Sequence, residues 1–521
     1  KLEFVNSEFT NSDSKTLKYK VSYNNYTVTG EITVNCYFVS VALASSSGSF
    51  VDEDNKIVYQ KDESCSYDVK LDSNLTAKDI NFSIDNGAKV DYSSSSNSNK
   101  LTISNLTKES NLTIKYPTES GFEVKKYIVK PDNKAPEITE IKFNSENAKS
   151  DDNGLYKNGD ITFTIKLKDE DSGSGIYDGS LTGNDVFSCN FDQSKNVFNC
   201  TLLSNHTING DTVFTITDRV GNEKSFSFNK LIDSGKVYVA NTPITNNNFE
   251  VVSSTEKPTA EVSSYKVREA NAFNDIDKNI YHGDYLTVTL DLNNDISGLQ
   301  SISDLSVSGF ENSNFSNFIL TKINGKDQSF SANSFDKLAA EFKNQATNEK
   351  VKSATVTFDI DIKDNPNYSG SHKLSLTVTD NSGNVNSGVD NSTFYVDNTA
   401  PQVTNVEFVK TTNPTVTDQI LNFLTFGIYS NDTIVMNVTA TDYAPTSGLP
   451  SDSAITVKND NKENLDVEEK KDEKIASNAT NSSTVTYSYN LGNSDSAYVL
   501  SFTVKDNAGN TATKSLVDLI K

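Results

Sequence analysis

The chain reads as an all-β protein made of several tandem sandwiches, and three observations predict it. Apolar and polar residues alternate with period two through most of the sequence, and clusters of Gly, Asn, Asp and Ser punctuate those runs. Whole strand-and-hairpin units also recur along the 521 residues. With about 150 residues per domain as a guide, a chain of this length should form three or four domains rather than one.

The strands come first. Ile161-Thr-Phe-Thr-Ile-Lys-Leu167, Tyr285-Leu-Thr-Val-Thr-Leu-Asp-Leu292 and Thr355-Val-Thr-Phe-Asp-Ile-Asp-Ile362 each alternate cleanly, as half-buried strands of antiparallel sheets do. One segment has helical spacing instead: Phe335, Leu338, Ala339 and Phe342 fall at i, i+3, i+4 and i+7 after the capping candidates Asn333 and Ser334. It predicts one short crossover helix.

Repeats set the domain boundaries. A strand ending in Asp-x-x-Gly-Asn occurs as Phe214-Thr-Ile-Thr-Asp218-Arg-Val-Gly-Asn222, as Leu376 to Asn384 around Asp380, and as Phe502 to Asn510 around Asp506. Upstream of each stands a second recurring strand, at Tyr156 to Ile165, Tyr281 to Leu290 and Tyr429 to Val438, with a divergent copy at Tyr59-Gln-Lys-Asp62. Boundary peptides recur too: Asp132-Asn133-Lys-Ala-Pro136 and Asp397-Asn398-Thr-Ala-Pro401 share Asp-Asn-x-Ala-Pro, and Asn241-Thr-Pro243 is a weaker version. Each Pro marks a linker or the first residues of a strand, where a missing N–H is tolerated. The resulting units are 35–133, 134–241, 242–398 and 399–521. Residues 1–34, with Thr16 to Tyr23, a turn at Asn24-Asn25 and Thr27 to Val34, read as the closing strands of an upstream repeat or as an N-terminal extension.

Composition narrows the function. Seventy acidic against 47 basic residues give a net charge of -23, and Arg219 and Arg268 are the only arginines, so nothing here would neutralise a run of phosphates. Nucleic acid is excluded as a partner. Only His206, His282 and His372 could titrate near neutral pH as imidazoles, and no Gly-x-Ser-x-Gly, Gly-x-x-x-x-Gly-Lys or His-Glu-x-x-His motif occurs. The expectation is a chain that is not an enzyme. Apolar residues make up 35%, a low share, yet 22 Tyr and 28 Phe argue for packed cores rather than disorder. The longest apolar stretches, Tyr37 to Ala44 and Ile420 to Tyr429, fall short of the roughly 20 residues of a membrane helix, so no membrane insertion is expected within this segment.

The Asp-Asn-x-Ala-Pro junctions, the Asp-x-x-Gly-Asn hairpins and the loops Asp169-Glu-Asp171-Ser-Gly and Asn294-Asp-Ile-Ser-Gly298 together resemble tandem bacterial immunoglobulin-like domains of cell-surface adhesin and stalk proteins. The match covers roughly residues 134 to 521; the first unit departs, with Tyr116-Pro-Thr-Glu-Ser-Gly121 where the hairpin Asp would be. The resemblance implies an elongated tandem array of immunoglobulin-like β-sandwiches in an extracellular, cell-surface setting. The Cys, Trp, Cys core of antibody domains is absent, since the chain has no Trp.

Two readings of the hairpin Asp stand side by side. Its carboxylate can accept from the turn's own N–H groups while Gly supplies the positive φ. Alternatively, Asp132, Asn133, Asp397 and Asn398 of the junctions meet Asp218, Asp380 or Asp506 of a neighbouring loop and hold calcium, a hard cation that takes oxygen ligands. The junctions resemble the calcium-binding linkers of cadherins. Asp169-x-Asp171 fits an EF-hand loop poorly, with Ser174 and Ser180 at the Gly and Glu positions, and reads as an acidic surface turn. Asp359, Asp361 and Asp364 fit plain solvation better than an ion site, and the mixed-charge run Lys458 to Lys474 reads as a solvated loop or short exposed helix.

Cys189 and Cys200 flank two strands and a turn, and Cys36 and Cys65 lie on strands of one unit, so two disulfides are expected, suiting an oxidising compartment. The function expected is a stalk or adhesive segment on the cell surface, meeting a protein or glycan on a host or neighbouring cell. Two rivals are a self-assembling surface-layer or fibre subunit and a noncatalytic portion of a secreted carbohydrate-active enzyme.

Overall fold

A computed structural model describes residues 13–36, 41–71, 79–95, 98–118, 121–182, 185–269, 272–363, 365–412, 415–424, 432–459, 462–474, 480–492 and 499–520. The chain is all-β, an array of immunoglobulin-like sandwiches, and divides into two compact units, Lys1–Ser254 and Thr255–Lys521.

The first unit opens with a two-stranded ribbon, Asp13–Tyr23 against Tyr26–Cys36, turned at Asn24 with φ of 52°. Sandwich one follows. Its five-stranded sheet runs in the order Ser49–Asp52, Ile57–Gln60, Gly121–Pro131, Ser110–Thr118, Asn81–Ile84, and its four-stranded sheet in the order Val41–Ala44, Cys65–Leu71, Ser98–Ser104, Lys89–Ser95. The inward residues of both sheets, among them Tyr67, Leu101, Ile114 and Tyr127, form one closed core.

Sandwich two packs a six-stranded sheet centred on Glu137–Phe143 and Ile161–Lys168 against shorter sheets around a phenylalanine-rich core. Phe143, Phe163, Phe187, Phe214 and Phe228 contact one another in turn, with ring centroids 5.0–6.3 Å apart. Such aromatic pairing supplies packing that Trp would otherwise give. The strand Glu250–Ser253 pairs with Gly154–Lys157, so this core takes in Phe249 and Val251, past residue 241 where the sequence reading ends its second unit.

In the second unit, sandwich three sets the five-stranded sheet Thr259–Arg268, Tyr285–Asn293, Ser353–Asp361, Phe315–Ile323, Lys326–Ala332 against a sheet that includes Leu299–Val307 and Gly370–Asp380. The helix Phe335–Asn348 starts at Ser334 and buries Leu338 and Phe342 on this core, as its spacing predicts. Sandwich four faces Gln402–Thr412, Asp432–Asp442, Ser483–Gly492 and Glu469–Lys474 with Lys462–Leu465, Ile455–Asn459, Leu500–Lys505 and Thr511–Ser515. The charged run read as a loop or helix therefore carries strands: Glu469–Lys474 pairs with Ser483–Gly492. Being an edge strand, it can present charges to water while its backbone is paired on one side.

One feature repeats in three sandwiches and positions the junction residues. The last strand runs parallel to an early strand of the same sandwich: Ile128 to Pro131 beside Ile57 to Gln60, Glu250 to Ser253 beside Gly154 to Lys157, and Tyr395 to Val396 beside Ile280 to Tyr281. The residue that leaves each pairing is Asp132, Ser254 or Asp397, whose N–H donates to the carbonyl of Gln60, Lys157 or Tyr281 at 2.8–3.0 Å.

Candidate metal centres

The hairpin Asp is a turn residue in all three copies. Asp218 donates its N–H to the Asn222 carbonyl at 3.1 Å, and its Oδ1 accepts from the N–H groups of Val220 and Asn222. Asp380 and Asp506 make the same bonds to Asn384 and Asn510. Gly221, Gly383 and Gly509 hold φ between +87° and +99°, a region that costs glycine little.

At two places the hairpin also meets a junction aspartate. Asp132 leaves sandwich one fully buried, and its Oδ2 accepts from the Ser174 N–H of sandwich two at 2.6 Å. The Asn222 amide then donates to the Asp132 carbonyl at 2.8 Å and to Asp218 Oδ2 at 2.7 Å. In the second unit Asp397 Oδ2 accepts from Ser447 N–H at 2.6 Å, and Asn510 donates to the Asp397 carbonyl at 3.0 Å and Asp506 Oδ2 at 2.9 Å.

A third carboxylate completes each group. Oxygens of Asp132, Asp169 and Asp218 lie within 4.8 Å of one another, as do those of Asp397, Asp442 and Asp506; these are the only such groups among the described residues. Asp169 is half-buried, and the other five are buried. Burial, with the Asp132 and Asp218 charges, pushes Asp169 up to about 6. Burial, with the Asp397 charge, pushes Asp506 up to about 6, and burial with both neighbouring charges pushes Asp442 up to about 8. Burial also raises Asp218 and Asp397.

Three anions this close repel by roughly 3 kcal/mol per pair at an effective dielectric near 20, a sum comparable to the stability of a whole domain. Either protons or a cation must offset it. A calcium ion takes ligands at about 2.3–2.6 Å, so oxygens on opposite sides of it stand about 4.8 Å apart, the outer limit of these groups. The donor set is oxygen only, which suits a hard cation and not zinc or copper. Asp442 Oδ1 is buried with no hydrogen-bond partner, as is Ser174 Oγ beside the first group. An orphaned, fully buried carboxylate oxygen among two other carboxylates fits a cation ligand.

The remaining sequence candidates fare differently. Asn133 is exposed. Asn398 is buried but faces sandwich three, donating to the Ile362 carbonyl at 2.7 Å while its Oδ1 meets His282 Nδ1 at 2.7 Å. Asp380 is buried without joining a three-carboxylate group. Asp169 and Asp442 are the residues that the sequence does not single out: Asp169 reads as part of an acidic surface turn, whereas its loop folds back onto the junction. Asp359 is not solvated; it is 1% exposed, pairs with Arg268 at 2.7 Å and accepts from Thr287 and Asn317. Asp364 lies outside the described residues.

Cys189 and Cys200 are direct cross-strand neighbours joined by a disulfide. The expected Cys36–Cys65 bond is not formed. Cys36 ends the separate N-terminal ribbon, opposite Asp13, whereas Cys65 is buried in sandwich one and donates its thiol to the Gly48 carbonyl.

The first hairpin also reaches back to sandwich one. Arg219 lies 4.7 Å from the Phe50 ring centroid, and Lys61 Nζ donates to the Gly221 carbonyl at 2.6 Å. The segment that supplies Asp218 thus grips the preceding sandwich directly.

No protein-family model matches the chain, and no curated protein matches it. Among solved structures, it is similar to a titin I-band fragment, I67–I69, at 10% identity over 64% of this chain and 92% of that one, TM-score 0.22. It is similar to protocadherin gamma B7 extracellular cadherin domains 1–4 at 10% identity, covering 74% and 83%, TM-score 0.22. Surface layer protein SbsC, domains 4–9, aligns at 12% identity over 96% of this chain and 69% of that one, TM-score 0.18.

Proposed function

We propose that the chain is a noncatalytic, extracellular surface segment in which calcium stiffens two of the links between immunoglobulin-like sandwiches. The observation that carries this reading is the pair of three-carboxylate groups. In each, the aspartate that ends one sandwich, Asp132 or Asp397, faces a loop aspartate and the hairpin aspartate of the next. A cation bound there is held by both sandwiches at once, so binding energy becomes hinge stiffness. The Cys189–Cys200 disulfide supports an oxidising, extracellular location. Segments of this kind hold a binding surface at a distance from a cell, and the partner on that reading is a protein or glycan of another surface.

Scanning calorimetry of the whole chain in millimolar calcium and in chelator tests it. Higher melting in calcium is expected; identical traces would contradict the reading.

A second reading, self-assembly into a surface layer or fibre, is favoured by the N-terminal ribbon. Tyr19, Val21, Tyr23, Tyr26 and Val28 share one exposed face of it. Light scattering that grows with concentration would support assembly, and a persistent monomer would contradict it.

A further inference from the structure

Sandwich three contains the corresponding loop, two residues shorter, and the same hairpin as sandwiches two and four. Where Asp169 and Asp442 end their strands, sandwich three has Asn294. The correspondence is set by hydrogen bonds, not by spacing alone. Asn381 N–H donates to the Gly298 carbonyl and its amide to the Ser297 carbonyl at 3.0 Å; in sandwich four, Asn507 makes the same two bonds to Gly448 and Ser447. At the register position of Asp132 and Asp397 the chain has Ser254. Asp295, next to Asn294, is exposed and does not restore the charge.

The orientation of the Asn294 amide follows from its neighbours. Its Oδ1 accepts from the N–H groups of Ser297 and Gly298 at 2.9 and 3.0 Å, and two backbone donors can be met only by the oxygen. The Nδ2 must then face the hairpin, and it donates to Asp380 Oδ2 at 3.2 Å. An amide N–H here performs the task that a cation would perform between Asp442 and Asp506: it places positive charge between loop and hairpin. Asp442 Oδ1, by contrast, is buried without a partner.

Building on the calcium reading above, we propose that this one position decides how each loop is closed onto its hairpin. Aspartate at 169 or 442 makes a divalent-cation site; asparagine at 294 makes a permanent, cation-independent closure. The described residues then form two calcium sites, and sandwich three keeps its loop closed without metal.

The test uses the full chain, calcium chloride as the probe, and the variants Asp442→Asn, Asp442→Ala and Asn294→Asp. Stoichiometry is read by titration calorimetry, and melting of the second unit is followed in calcium and in chelator. Wild type should bind two calcium ions. Asp442→Asn should bind one and, in chelator, melt about 4 °C or more above wild type, because it gains the bond that Asn294 makes. Asp442→Ala, which has no amide, should melt below Asp442→Asn in chelator. Asn294→Asp should lower melting in chelator by several degrees. The proposal is overturned if Asp442→Asn still binds two ions, if it melts no higher than wild type in chelator, or if Asn294→Asp melts as wild type there. Should Asp442→Asn not fold, the Asn294→Asp result decides alone. Wild type that binds no calcium sinks the calcium reading itself, a different outcome from two bound ions with unresponsive variants.

Discussion

The side-chain amide of Asn222 donates to the carbonyl oxygen of Asp132 at 2.8 Å, tying the hairpin of sandwich two to the residue that leaves sandwich one. The same amide meets Asp218 Oδ2 at 2.7 Å, and both aspartates are buried. Removing it strips buried acceptors of their donor, which costs about 1–3 kcal/mol. Asn222→Ala should therefore destabilise the first unit by that amount, read as a lower denaturant midpoint, while the second unit's transition stays in place.

In chelator, stability should fall as pH rises. Carboxylates whose folded pKa is raised contribute stability that is complete below their ordinary value near 3.8. That contribution is lost as pH climbs through about 6 for Asp169 and Asp506 and about 8 for Asp442. Melting temperature measured in chelator from pH 4 to pH 9 should decline across that window. Calcium should flatten the decline at neutral pH, since it binds the deprotonated form.

Much of this arrangement was legible in the sequence. Asp132, Asp218, Asp397 and Asp506 stand out because the hairpin and junction motifs each recur with the same internal pattern, and the structure brings each junction aspartate to a hairpin aspartate. Asp169 and Asp442 were hidden by loop length and composition. Ser174 and Ser447 stand five positions after Asp169 and Asp442, but Ser297 stands three after Asn294. Only the later Ser-Gly aligns, and an acidic loop in an acidic chain reads as solvated. Asp359 was misjudged for another reason: its pairing with Arg268 spans 91 residues and leaves no local trace in the sequence. Cys36 and Cys65 both read as strand residues of one unit, and strand pattern alone does not show that a sheet boundary falls between them.

The Arg268–Asp359 pair makes a prediction of its own. Asp359 is 1% exposed while Arg268 remains about half exposed, so part of the interaction is screened. Arg268→Met should still leave a buried carboxylate short of its charge partner and destabilise sandwich three by about 1–3 kcal/mol. Asp359→Asn in the same background should recover part of that loss in a double-mutant cycle, and additive effects would deny the coupling.

The Cys189–Cys200 bond closes a loop with a sequence separation of 11. Loop-closure entropy for that length corresponds to about 2–3 kcal/mol. Cys189→Ala with Cys200→Ala should lower the first unit's denaturant midpoint accordingly. Reductant should lower the wild-type midpoint in the same way and leave the double variant unchanged.

Crystals grown in calcium, with anomalous scattering recorded at long wavelength, test the central claim most directly. The account predicts one peak among Asp132, Asp169 and Asp218, a second among Asp397, Asp442 and Asp506, and none between Asn294 and Asp380. Carboxyls hydrogen-bonded to one another at both groups, with no anomalous peak at either, would contradict it.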